Sequence, residues 1–210
     1  LDEIADGYRA IRCVYRGEFS EVWEVEERDT HRRRALKRLR PDAPPELELA
    51  LAREATMHGR IRHPGVARLV EVVHDVEGRS ALVLEWVDGP SLADLLDRRG
   101  APALEIGLPL FEEVVRAVRA AHAQGVVHRD LKPENIVLRL AQGRLQPVLV
   151  DFGLAKELST DGVVKPAPGI SQWYRTLGTP EYMAPEQAVK PDTVDERADI
   201  FSLGCLLYEL

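Results

Sequence analysis

The sequence predicts an α+β fold of two lobes, a small strand-rich one followed by a larger helical one. Alternating, β-branched runs dominate up to residue 85, helix-capping signals and longer apolar periodicity dominate beyond Gly89, and only a short connector lies between. At 210 residues and 45% hydrophobic content the chain can bury a sizeable core, as one large domain or as two small lobes.

The strand signals fall first at residues 12–15, 22–26 and 35–39, each bounded by turn-forming or polar clusters. Pro44 and Pro45 mark a helix start, because proline suits a first turn where its missing N–H would have had no partner. Strands are expected again at residues 67–74 and 80–85. Ser91, with Asp94 three positions on, reads as a helix N-cap, and Gly125 stands where a helix running to about Gln124 needs its C-terminal cap. Residues 145–150 alternate around Pro147 as a strand leading to Asp151, after a turn near Gln142-Gly143. The lobes are therefore placed at residues 1–84 and 90–210, with a hinge at 85–89. Two lobes around a cleft suit a nucleotide. Residues 200–210 form an apolar helix pattern still running where the sequence stops, so the helical lobe is expected to be incomplete.

A net charge of -7 with scattered arginines, apart from Arg32 to Arg34, argues against a nucleic-acid face. The two cysteines, Cys13 and Cys205, lack metal-ligand or disulfide spacing and are expected to be buried thiols in a reducing compartment. No run approaches the eighteen apolar residues of a membrane span, and the start carries no signal-peptide pattern. A cytoplasmic location with no membrane segment in this chain is the expectation.

The chemistry concentrates in His128-Arg129-Asp130-Leu131-Lys132-Pro133-Glu134-Asn135, followed by Asp151-Phe152-Gly153. Transferring a phosphoryl group needs a carboxylate to orient the attacking hydroxyl, a cation near the migrating phosphate, and oxygen ligands that hold Mg2+ against a nucleotide. Asp130, Lys132, and the pair Asn135 with Asp151 supply these in turn. Read alone, Asp151-Phe152-Gly153 is also an ordinary turn after a strand. A second signal is Glu54: with Leu47, Leu51, His58 and Ile61 it falls on one stripe at about 100 degrees per residue, which puts a carboxylate on an apolar face. Such a group is costly unless paired. His58 reads as a core or cleft-edge histidine with no catalytic duty.

With Ala184-Pro185-Glu186 downstream, these motifs make the chain resemble the eukaryotic-type (Hanks-type) serine/threonine protein kinase family over nearly its whole length. The resemblance implies the two-lobed protein-kinase-like fold, ATP and Mg2+ as cofactors, and protein substrates bearing Ser or Thr. It implies Asp130, Lys132 and Thr179 in the catalytic loop's chemistry, Asn135 and Asp151 as metal ligands, and Lys37 on the inner phosphates with Glu54 as its partner. Val22, Ala35 and Val137 would sandwich the adenine, and Glu85 and Val87 would offer it main-chain groups. Tyr15 and Ser20 stand where the family's glycine-rich loop carries glycines, and Gly17 alone is retained. That departure motivates a rival, a nucleotide-binding pseudokinase or scaffold module. A second rival, a small-molecule phosphotransferase of the same fold, is disfavoured by Thr179 and Ala184-Pro185-Glu186. Arg129 implies regulation by a phosphate on the segment from Asp151 to Glu186, with Thr160, Ser171 and Thr176 as candidates. Asp199 is either the acid that braces the catalytic loop or a helix cap.

Overall fold

The structure, a computed structural model, describes residues 3–152, 180–189 and 194–210. The chain divides into two compact units, Leu1–Arg60 with Ala67–Trp86, and Ile61–Val66 with Val87–Leu210.

The first unit is an antiparallel sheet of six strands: β1 (Glu3–Ala5), β2 (Tyr8–Arg16), β3 (Ser20–Glu27), β4 (Arg33–Leu39), β5 (Leu69–His74) and β6 (Ser80–Glu85), in the order β1-β2-β3-β4-β6-β5. Strand β1 has no expected counterpart, since three residues are too few to show alternation. The register pairs Val22 with Lys37 and Lys37 with Leu82, then Glu24 with Ala35 and Ala35 with Leu84. Side chains alternate along a strand, so Val22, Ala35, Lys37, Leu82 and Leu84 share one face. The alternate residues Val25, Leu36, Ala81 and Val83 bury against Ile4, Ala5 and Tyr8. The Tyr8 hydroxyl donates to Glu71 Oε1 at 2.7 Å, and burial followed by that acceptor pushes its pKa well above the tyrosine range.

Helix α1 spans Leu47–His58 and buries Leu47, Ala50, Leu51, Glu54, Ala55 and His58. It begins later than expected. Pro44 precedes Pro45, a position that disfavours the helical region, and the two carbonyls instead accept from Leu47 N and Glu48 N at 3.0 and 3.1 Å in a lead-in turn.

In the second unit, Ser91 forms a reciprocal box with Asp94 (Asp94 N to Ser91 Oγ, 3.0 Å; Ser91 N to Asp94 Oδ2, 2.9 Å) at the head of α2, Leu92–Arg99. Two helices lie between Ser91 and Gly125. Gly100, at φ +70°, ends α2, and α3 (Leu104–His122) follows. Gly125, also at φ +70°, closes α3 as its N–H takes His122 O and Val126 N takes Ala121 O. The stripe Leu110, Val114, Ala117, Val118 and Ala121 is buried, and α3 packs on the hairpin strand β8.

That hairpin, β7 (Ile136–Ala141) and β8 (Arg144–Leu149), turns on Gln142 and Gly143 with φ of +50° and +75°, the backbone of a tight two-residue turn. Gly89 passes so close to Leu138 that any side chain there would collide with its main chain. Residues Ile61–Val66 belong to this unit because Leu149 N donates to Gly65 O at 2.9 Å and Arg139 Nη2 donates to Pro64 O at 3.1 Å. Short helix α4 (Pro185–Val189) and helix α5 (Arg197–Glu209) follow. Cys13 and Cys205 are free and only half-buried; Cys13 lies on a strand whose neighbours are largely exposed. Among the described residues no helix is long and apolar enough to cross a membrane.

Candidate active site

The sheet unit brings Lys37 and Glu54 together. Lys37 Nζ lies 2.7 Å from Glu54 Oε1, with side chains 6% and 1% exposed, so the carboxylate on the apolar face of α1 has the partner that its burial demands. His58, one turn further, places Nε2 2.6 Å from Ala67 O and anchors the end of α1. Ala35 and Val22 flank Lys37 on the same face by register. Glu85 ends β6 and donates its N–H to Arg68 O at 2.8 Å, while Val87 is buried at the start of the second unit's long segment.

The turn between β2 and β3 carries one glycine, Gly17. A Cβ on Gly17 would meet Tyr15 Oη at 2.9 Å, so the Tyr15 ring lies across Gly17, half exposed. Gly17 N donates to Ser20 O at 2.8 Å, and Gly17 O accepts from Arg40 Nη1 at 3.2 Å.

The helical unit holds the other charged groups. Asp130 Oδ2 accepts from Asn135 Nδ2 at 3.0 Å and lies 3.3 Å from Lys132 Nζ; Asn135 Nδ2 also donates to Asp130 O at 2.8 Å. Residues Pro133–Asn135 make a 3-10 turn, which brings Asn135 back over Asp130. The hairpin then sets Asp151: Ile136 pairs with Leu149 and Val150 N donates to Asn135 O at 2.9 Å, so Asn135 and Asp151 stand at the same end of the two strands. Val137 is the second residue of β7. Phe152 is fully buried with its ring 4.5 Å from that of His128. Four described non-glycine residues have positive φ. His31 and Gln142 sit in strand connections, but Arg129 (+64°) and Asp151 (+55°) border this cluster. A left-handed backbone costs an ordinary residue roughly 1–2 kcal/mol, so strain collects where the charged side chains are aimed.

Asp199, on α5 and wholly buried, braces the loop from beneath. Its Oδ1 accepts from Arg129 N at 2.8 Å, and its Oδ2 from His128 N at 2.8 Å and from His122 Nε2 at 2.7 Å. It is not a cap of its own helix, whose N-cap residue is Glu196. Burial works to raise the Asp199 pKa, but the His122 hydrogen bond, the His128 charge and the two backbone N–H groups together hold it below the ordinary aspartate value. A lowered folded-state pKa gives stability that is present above the unfolded pKa, near 3.9, and is lost as pH falls through the folded one. Asp199→Ala is therefore expected to destabilise this unit by about 3–5 kcal/mol at neutral pH, since it strands two buried backbone donors and the partly buried His122 side chain. Urea titrations should show the gap to the parent narrowing below about pH 4; a gap independent of pH would contradict the charge's role.

Arg129 is 7% exposed, with Nη2 donating to Val194 O at 3.2 Å. Thr160, Ser171, Thr176 and Thr179, with Gly153, lie outside the described residues. Two supporting residues were not foreseen. His122 joins Asp199, and Gln187 donates to Arg129 O at 2.8 Å while its Oε1 accepts from Ala184 N at 3.2 Å. His122 flanks the apolar stripe of α3, which was a usable signal; Gln187 carries none.

A family model described as the protein kinase domain matches residues 8–210. Serine/threonine-protein kinase pkn2 of Myxococcus xanthus is 36% identical over 210 residues, covering 99% of this chain and 24% of that protein. Serine/threonine-protein kinase PknA of Mycobacterium tuberculosis is 37% identical over 212 residues, covering 96% of this chain and 46% of that protein. The chain thus spans less than half the length of these curated relatives. A solved structure described as Rad53 1-466 in complex with AMP-PNP superposes with a TM-score of 0.73 at 27% identity, covering 96% of this chain and 47% of that one. On the extent of the family match, the chain belongs to the protein kinase domain family.

Proposed function

We propose that this chain is the catalytic domain of a serine/threonine protein kinase, transferring the γ-phosphate of Mg-ATP to Ser and Thr hydroxyls of protein substrates. The observation that carries the reading is the cluster of Asp130, Lys132 and Asn135, fixed on a loop whose backbone is hydrogen-bonded by a buried Asp199. Asp130 is assigned the acceptor hydroxyl, which it orients and whose proton it takes. Lys132, 3.3 Å from that carboxylate, is assigned the charge on the transferring group. Lys37 is assigned the inner phosphates, with Glu54 holding the ammonium in place. In this reading residues 1–84, apart from Ile61–Val66, serve as the smaller lobe, 85–89 as the hinge, and 90–210 together with Ile61–Val66 as the larger lobe. The same reading places the domain in the cytoplasm.

The donor set fits Mg2+. Asn135 commits its Nδ2 to Asp130, which turns its Oδ1 the other way, and Asp151 adds a carboxylate at the same end of the hairpin. One or two hard oxygen ligands from protein are what Mg2+ takes when nucleotide phosphates supply the rest. When bound there, the ion neutralises charge that develops on the phosphate oxygens. Asp151→Asn is expected to weaken Mg2+-dependent binding of a non-hydrolysable ATP analogue to the full-length protein by roughly tenfold or more, measured by calorimetry. Equal affinity with and without Mg2+ in the parent would contradict the assignment.

A second reading has one observation in its favour: the Tyr15 ring lies across the only glycine of the β2–β3 turn. Bulk there would hinder the close approach of backbone N–H groups to phosphate. A nucleotide-binding module that does not turn over would follow, and measured phosphotransfer separates the two.

A further inference from the structure

We propose that Arg79 is a positioning residue for the Lys37–Glu54 pair, holding α1 where Glu54 can reach Lys37; the proposal rests on the kinase reading and deepens it. Arg79 directly precedes β6 and ends a turn organised by Asp75, whose Oδ1 accepts from Glu77 N and Arg79 N, both at 2.9 Å. From this fixed backbone the guanidinium of a side chain 18% exposed reaches in three directions. Nε donates to Glu48 Oε1 in the first turn of α1 at 2.6 Å, Nη1 to Arg40 O at 2.7 Å, and Nη2 to Ala43 O at 3.5 Å. A planar fork with five N–H donors can do this from one side chain. What it gathers is the connection between β4, which carries Lys37, and α1, which carries Glu54. Arg40 extends the same pin towards the glycine-bearing turn, because its N donates to Phe19 O at 2.8 Å and its Nη1 to Gly17 O at 3.2 Å.

Helix α1 has reason to need such a pin. Its N-cap residue Glu46 makes no side-chain capping bond. Its far end is tied through His58 to Ala67 O. Glu54 therefore sits between an end held by His58 and an end held by Arg79. Release of the Arg79 end lets the helix pivot about His58, and a 2.7 Å contact between Lys37 and Glu54 does not survive a shift of that kind. Lys37, 6% exposed in the pair, then opens to solvent.

The test is acylation of lysines in the full-length protein by an amine-reactive succinimidyl ester, followed residue by residue by mass spectrometry. Lys132, in the other unit, is the internal reference. Arg79→Ala should raise the labelling rate of Lys37 several-fold, to about the level of Glu54→Gln, with Lys132 unchanged. It should add nothing further in the Glu54→Gln background. Glu48→Gln, a milder change that keeps the side chain's shape, should move Lys37 in the same direction. An unchanged Lys37 rate in Arg79→Ala overturns the proposal. So does a parallel rise at Lys37 and Lys132, which a general loosening would give, or an effect that adds in full to that of Glu54→Gln. Labelling requires no turnover, so a parent protein that transfers no phosphate would refute the kinase reading without altering this result.

Discussion

Asp130→Asn in the full-length protein is expected to lower kcat by roughly 10²–10⁴-fold, the range for loss of a positioned general base. The affinity for Mg-ATP should change little, because this carboxylate is assigned to the acceptor hydroxyl and not to the nucleotide. The substitution is close to isosteric, and an amide can still sit beside Asn135 Nδ2 and Lys132 Nζ, which Asp130 Oδ2 meets at 3.0 and 3.3 Å. The charge is what disappears. Stopped-flow or steady-state phosphotransfer combined with nucleotide titration checks this, and equal turnover in variant and parent would remove Asp130 from the chemistry.

Lys37→Met and Glu54→Gln should each reduce activity strongly, and the double variant should be little worse than either alone. The pair is buried at 2.7 Å, so each side chain's role depends on the other being present. Removing one partner from a buried ion pair costs about 3–5 kcal/mol, whereas removing both avoids the stranded charge. A double-mutant cycle on kcat/KM is expected to give a coupling energy of about 0.5–3 kcal/mol. Fully additive losses would mean that Glu54 does not act through Lys37.

The cluster proposed as catalytic was legible because its residues are local. Asp130, Lys132 and Asn135 fall within one loop and a 3-10 turn, so spacing alone brings them together. Glu54 was legible for a different reason: a carboxylate on the buried stripe of α1 calls for a cation, and the family resemblance names Lys37 as that cation. Asp199 could be read two ways, since an acid near a helix start is also a cap. The choice depends on backbone N–H groups of His128 and Arg129, about seventy positions away, which leave no mark on residue identity. Gln187 and Arg79 were missed on the same physical ground, because their partners include main-chain carbonyls, which every residue has. The membership of Ile61–Val66 in the second unit was equally hidden, as it follows from Leu149 N meeting Gly65 O.

The measurement that bears most directly on the central claim is transfer of label from γ-radiolabelled ATP by the full-length protein to itself or to a generic protein substrate, followed by phosphoamino-acid analysis. The expected result is phosphoserine and phosphothreonine that form only with Mg2+ present and vanish in Asp130→Asn. Nucleotide binding with no label transferred would contradict it and favour the non-catalytic module that Tyr15 and Gly17 bring into view.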